Sequence, residues 1–259
     1  MHTDASQRIV RFVEKPKPEA LAGLVSAVSP ELSSQGRVYL ASMGIYVFER
    51  DVLFDLLEGH PELMDFGRDV IPHSLTRMPV YSYPFDGYWT DIGTVASFFD
   101  ANLALTDPLP QLDLYDAQRP IYTHARMLPP SKTRNAVVDG SILGQGCVLE
   151  DCEVRRSVIG VRAVVGSGSR LKECVVMGAD HYESIADRER NVAMSRPHVG
   201  IGEGCKLERV IVDKNARIGR GVVMRGWPGR PDSDGSSWHV RDGIVVVPKD
   251  AIVPDGTEV

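Results

Sequence analysis

Five short stretches in the second half of the chain set an aliphatic residue directly before a glycine. They are Leu143-Gly144-Gln145-Gly146, Ile159-Gly160, Val165-Gly166-Ser167-Gly168, Ile201-Gly202-Glu203-Gly204 and Ile218-Gly219-Arg220-Gly221. A further apolar residue recurs about six positions on, which marks a parallel β-helix whose hexads each form one short strand and a turn. Stacked coils bury a continuous aliphatic column and expose regular sides, so they serve more often as scaffold than as reaction centre. The chemistry is therefore to be sought in the first hundred or so residues.

The 259 residues suffice for one large domain or two ordinary ones. Basic residues are scattered singly and the net charge is −6, which argues against a nucleic-acid footprint. No apolar run approaches the ~18 residues of a membrane span. The opening Met1-His2-Thr3-Asp4-Ala5-Ser6 is polar, unlike a signal peptide. Cys147, Cys152, Cys174 and Cys205 form no CxxC pair and take the small-residue slot of their hexads. Buried free thiols in a cytoplasmic protein fit best.

The first part alternates strands and helices. Arg8 to Val13 reads as a strand stopped by Pro16 and Pro18, and Tyr39 to Phe48 as a second. A helix follows from about Arg50 to Glu58, with Gly59 and Pro61 as stop signals. Pro79 to Pro84 holds a third short strand. A second helix is capped by Thr94, with Val95, Phe98, Phe99 and Leu103 on one face. Such alternation points to an α/β sheet. The division expected is 1–106 for this domain, a proline-rich connector at 107–134, and the repeats at 135–259. The repeats break between Met177 and Val199, read as a loop thrown out from one coil, and again at Pro228 to Ser237. The glycine-rich phosphate loop that opens nucleotide-binding sheets is absent.

Several residues could carry chemistry. Glu14 and Lys15 stand at a strand end, where α/β sheets gather ligands. Lys15 precedes Pro16 and is expected to be extended. The plainer reading is a solvated surface pair. Ser42 and Gly44 place a hydroxyl and a small residue where backbone could approach a sugar. Asp91, beside Tyr88 and Trp89, lies between a strand and a helix start. It could hold a hard cation such as Mg²⁺ or simply bond free helix amides. Lys214 and Lys249 would form an anion site only if they converge, which spacing cannot show. His181 and His198 are the only histidines placed to serve a hexapeptide acyltransferase, a reading that leaves the first hundred residues unexplained.

Taken together, FVEKPK (12–17), ASMGIYVF (41–48), DFGRDVIP (65–72), GYWTDIGT (87–94), PPSKTRNA (129–136), MGADHYE (177–183), GIGEGC (200–205) and DKNARIG (213–219) resemble the ADP-glucose pyrophosphorylase family, in family order. The resemblance implies a partial α/β, Rossmann-like nucleotidyltransferase domain followed by a left-handed parallel β-helix. It implies the activity of a glucose-1-phosphate adenylyltransferase, taking ATP and glucose 1-phosphate to ADP-glucose and pyrophosphate. On this reading Lys15 contacts the phosphate of glucose 1-phosphate, Glu14 holds the sugar, and Ser42 and Trp89 line the same pocket. Asp91 is one of two aspartates for Mg²⁺. Lys214 and Lys249 bind an anionic activator, and members assemble as tetramers. The family's GxGTRLxPLT loop for the ATP phosphates is missing from these residues. A fragment, split enzyme or regulatory subunit without turnover of its own is the expectation that follows.

Overall fold

The computed structural model describes residues 1–26 and 28–259. It divides into two compact units, Met1–Trp89 and Thr90–Val259. No described helix is long and apolar enough to cross a membrane.

In the first unit, His2–Thr3 and Ile9–Arg11 pair antiparallel. Residues 80–82 run alongside: Ile9 N–H donates to Val80 O at 2.8 Å and Ser82 N–H to Gln7 O at 2.9 Å. The unit also holds helices α1 (Pro30–Ser34), α2 (Arg50–Gly59) and α3 (Ile71–Leu75), of which α3 packs on Ile9–Arg11, with a π-helical turn at Phe66–Val70 leading into α3. The wider sheet expected from sequence is corrected here. Residues 39–48 and 79–84 form no regular strand, only isolated bridges from Tyr39 to Val25 and from Tyr81 to Arg8. A strand is made by a neighbour's hydrogen bonds as much as by its own composition. The side chains of Ile45 and Val47 meet none, being 73% and 96% exposed.

The second unit is a parallel β-helix, as its hexads require. On one side Leu149, Val165, Ile201, Ile218 and Val253 stand in successive register. A second side stacks Val138, Val154, Leu171, Leu207 and Met224. A third stacks Leu143, Ile159, Val176, Val212 and Val247. Apart from Val138 and Leu143 at the start of the stack, these side chains are all buried. Non-glycine residues with positive φ, among them Asp151 (45°), Glu173 (50°) and Arg209 (54°), turn corners of the coil. The first strand is Lys132–Arg134, slightly ahead of the expected start.

Two excursions leave the stack. The segment read as a loop between Met177 and Val199 contains α5 (Ile185–Ala193), whose N-terminus is closed by reciprocal hydrogen bonds between Ser184 and Asp187. The later one contains an antiparallel hairpin of Ser233–Asp234 with His239–Arg241. Three strand stretches do not alternate polar and apolar residues: Cys174–Val176, Val210–Val212 and Ile244–Val247. Apolar residues on both faces of a strand mean that both faces are covered. The cover here is α4 (Val95–Ala104), capped by Thr94 as expected, whose Phe99 and Leu103 pack on Val175, Ile211 and Ile244. The helix assigned by sequence to the first domain thus lies on the coil.

Candidate functional site

The bend at Glu14 and Lys15 ends the short ladder of the first unit. Lys15 has φ +43°, so the extended backbone expected before Pro16 is corrected to the left-handed region. Proline obstructs the right-handed helical region for the preceding residue, and the chain reverses by the costlier left-handed route. Strain of this kind collects at functional sites. The turn brings Glu14 against Gly67, where a Cβ would stand 2.7 Å from Glu14 Oε2. A side chain at position 67 would push the Glu14 carboxylate out of this place.

Glu14 then borders an open hollow of about 650 Å³, whose wall also includes Ser42, Tyr46, Phe48, Asp65 and Phe66. Ser42 Oγ lies 3.0 Å from Tyr46 Oη and accepts the N–H of Gly44 at 3.2 Å. Gly44 has φ +72°, which the turn needs and glycine supplies at no steric cost. Tyr46 and Phe66 stack with centroids 5.9 Å apart, and Phe48 tilts against Phe66 at 6.0 Å. Asp65 Oδ1 accepts Arg68 N–H at 2.7 Å and caps the π-helical turn. The hollow therefore offers a carboxylate, a hydroxyl and an aromatic wall within a volume suited to a small ligand.

Of the sequence candidates, Glu14 and Ser42 meet in this hollow. Lys15 is exposed and stands outside its lining. Trp89, at the end of the first unit, is 44% exposed. Tyr46, Phe48 and Asp65–Gly67 fall within the ASMGIYVF and DFGRDVIP stretches but were assigned no site role from sequence. Asp91 belongs to the second unit and is exposed. Its Oδ1 accepts Gly93 N–H at 2.9 Å, while Thr94, not Asp91, caps α4. No group of three or more His, Cys, Asp or Glu residues is assembled for a metal among the described residues. Asp91 alone would give Mg²⁺ a single carboxylate, and the rest of that ion's shell would have to come from water and phosphate oxygens.

On the coil, Lys214 and Lys249 do converge, and they do so on Asp180. Lys214 Nζ lies 2.9 Å from Asp180 Oδ1 and Lys249 Nζ lies 3.9 Å from Oδ2. Asp180 was not visible as a partner, because the contact spans 34 residues in one direction and depends on how the coils stack. Two neighbours complete the anchoring of the excursion. Tyr182 Oη donates to Gly146 O at 2.9 Å, and Glu183 Oε1 takes Arg217 Nη1 at 2.6 Å. Glu183 Oε2 lies 3.1 Å from His198 Nδ1, so His198 is held as an anchor partner. The four cysteines are free and buried. Burial pushes the Cys174 thiol up to about 12.

Two comparisons with known families cover most of the chain. Residues 126–258 match the GLGC left-handed parallel β-helix domain, which gives the coil its hand. Residues 1–108 match the nucleotidyl transferase domain. The second match runs through α4, although the helix packs on the coil.

Proposed function

Since the chain belongs to the GLGC left-handed β-helix family and carries a nucleotidyl transferase domain before it, the architecture of ADP-glucose pyrophosphorylase, we propose a glucose-1-phosphate adenylyltransferase. The observation that supports the sugar site is the meeting of Glu14 and Ser42, from separate stretches of chain, in one aromatic-walled hollow. A carboxylate and a hydroxyl accept and donate hydrogen bonds to sugar hydroxyls, and an aromatic wall suits the apolar face of a hexose. Lys15, next along the chain, supplies an ammonium for the phosphate.

The reaction joins a phosphate oxygen of glucose 1-phosphate to the α-phosphorus of ATP and expels pyrophosphate. The attacking oxygen is already anionic, so no strong base is required. Alignment and charge neutralisation are the tasks, with Lys15 fixing the nucleophile and Glu14 and Ser42 orienting the ring. Asp91 would hold Mg²⁺, which when bound neutralises phosphate charge. Lys214 and Lys249 would receive an anionic activator.

Calorimetry with glucose 1-phosphate tests the reading. The expected result is binding that Glu14→Gln weakens about tenfold, the worth of a hydrogen bond to a charged group. No heat from glucose 1-phosphate, or equal affinity in the variant, would sink it.

A further inference from the structure

Two lysines from different turns of the coil share a single carboxylate. Asn215 holds the same residue from both sides: its Nδ2 donates to Asp180 Oδ2 at 3.1 Å, and its Oδ1 accepts Asp180 N–H at 2.8 Å. Hydrogen bonds from Lys214 and Asn215, then the charges of Lys214 and Lys249, keep the Asp180 carboxyl below the ordinary range. It is therefore an anion at neutral pH. The side chains of Lys214, Asp180 and Lys249 are 31%, 44% and 55% exposed, so a dissolved ion reaches both ammonium groups without disturbing the core.

Resting on the reading of Lys214 and Lys249 as an anion site, we infer that the Asp180 carboxylate is a built-in competitor for that anion. A phosphate-type ion brings more charge and more acceptor oxygens than a carboxylate, so it can take both ammonium groups. Like charges within a few ångströms repel, and Asp180 must give way. Asp180 follows Gly178, whose φ of +82° marks the start of the excursion, and it is the first anchor ahead of Tyr182 and Glu183. Binding of the ion thus exchanges an internal tether of the excursion for an external one. Asp180 sets the threshold concentration at which the site fills.

Titration of the full chain with inorganic phosphate, followed by calorimetry, tests this. Asp180→Asn keeps the shape and a neutral acceptor for Lys214 while removing the charge. It should bind phosphate about threefold more tightly or better, from the worth of exposed ion pairs. Asp180→Ala should behave alike, and Lys214→Ala should lose the binding. Phosphate binding to the natural chain with unchanged or weaker affinity in Asp180→Asn overturns the competitor role and leaves the anion site standing. No binding in any of these chains overturns the anion site, and the competitor role with it.

Discussion

The guanidinium carbon of Arg209 lies 5.0 Å from the centre of the Phe99 ring. Arg209 occupies a corner of the coil at φ +54° and pairs with Glu173 of the neighbouring corner at 3.3 Å. One side chain thus joins α4 to two turns of the coil. The ring itself is wholly buried.

Phe99→Ala should destabilise the second unit by about 3–5 kcal/mol, as large-to-small changes in packed cores do. Phe99→Leu should cost clearly less, because most of the volume is kept. Denaturant unfolding followed by circular dichroism measures both. A loss below about 1 kcal/mol for Phe99→Ala would show that α4 is not held by this contact.

Glu183 gives the coil a pH dependence. Burial raises its pKa, but Arg217, the Val199 N–H and Asn191 together outweigh that and hold it below the ordinary glutamate value. A depressed folded pKa means that the stabilisation is complete above the unfolded value of about 4.3 and is lost as pH falls through the lower folded one. The melting temperature of the natural chain should therefore fall more steeply between about pH 5 and 3 than that of Glu183→Gln. At neutral pH the variant should be less stable by roughly 3 kcal/mol, since Arg217, its side chain only 11% exposed, loses its counter-charge. Parallel melting curves would remove Glu183 from this role.

Gly178 tests the close stacking where the excursion leaves. Its φ is +82°, and a Cβ there would collide with the carbonyl oxygen of Val161. Gly178→Ala should cost about 2 kcal/mol or more, from left-handed strain and the clash together. Gly256 also has positive φ, at +68°, but a Cβ there meets nothing within 4 Å. Gly256→Ala should cost only the conformational part, about 1 kcal/mol. Thermal melts showing equal losses would contradict the packing argument.

Lys15 separates backbone strain from side-chain chemistry. Both Lys15→Ala and Lys15→Gly remove the ammonium, so both should weaken glucose 1-phosphate about tenfold while leaving glucose unchanged. At φ +43° the glycine variant should nevertheless be more stable than the alanine variant by about 1 kcal/mol. Equal affinity losses for glucose and its phosphate would take Lys15 away from the phosphate. Equal melting temperatures for the two variants would deny the strain.

The hexads alone determined the coil, because an aliphatic residue before each glycine recurs at a spacing that only stacked turns satisfy. The cap at Thr94, the helix from about Arg50 to Glu58 and the burial of the cysteine slots followed from local chemistry of the same kind. The tertiary structure decided what depends on separated segments meeting. It set α4 on the coil, where its Phe99 and Leu103 cover Val175, Ile211 and Ile244. It left residues 39–48 without strand partners, brought Glu14 to Gly67 through a left-handed Lys15, and delivered two lysines to Asp180. Spacing along a chain fixes which way neighbouring side chains face. Which distant groups touch is fixed by the summed turns and excursions between them, and a short motif carries no record of that sum.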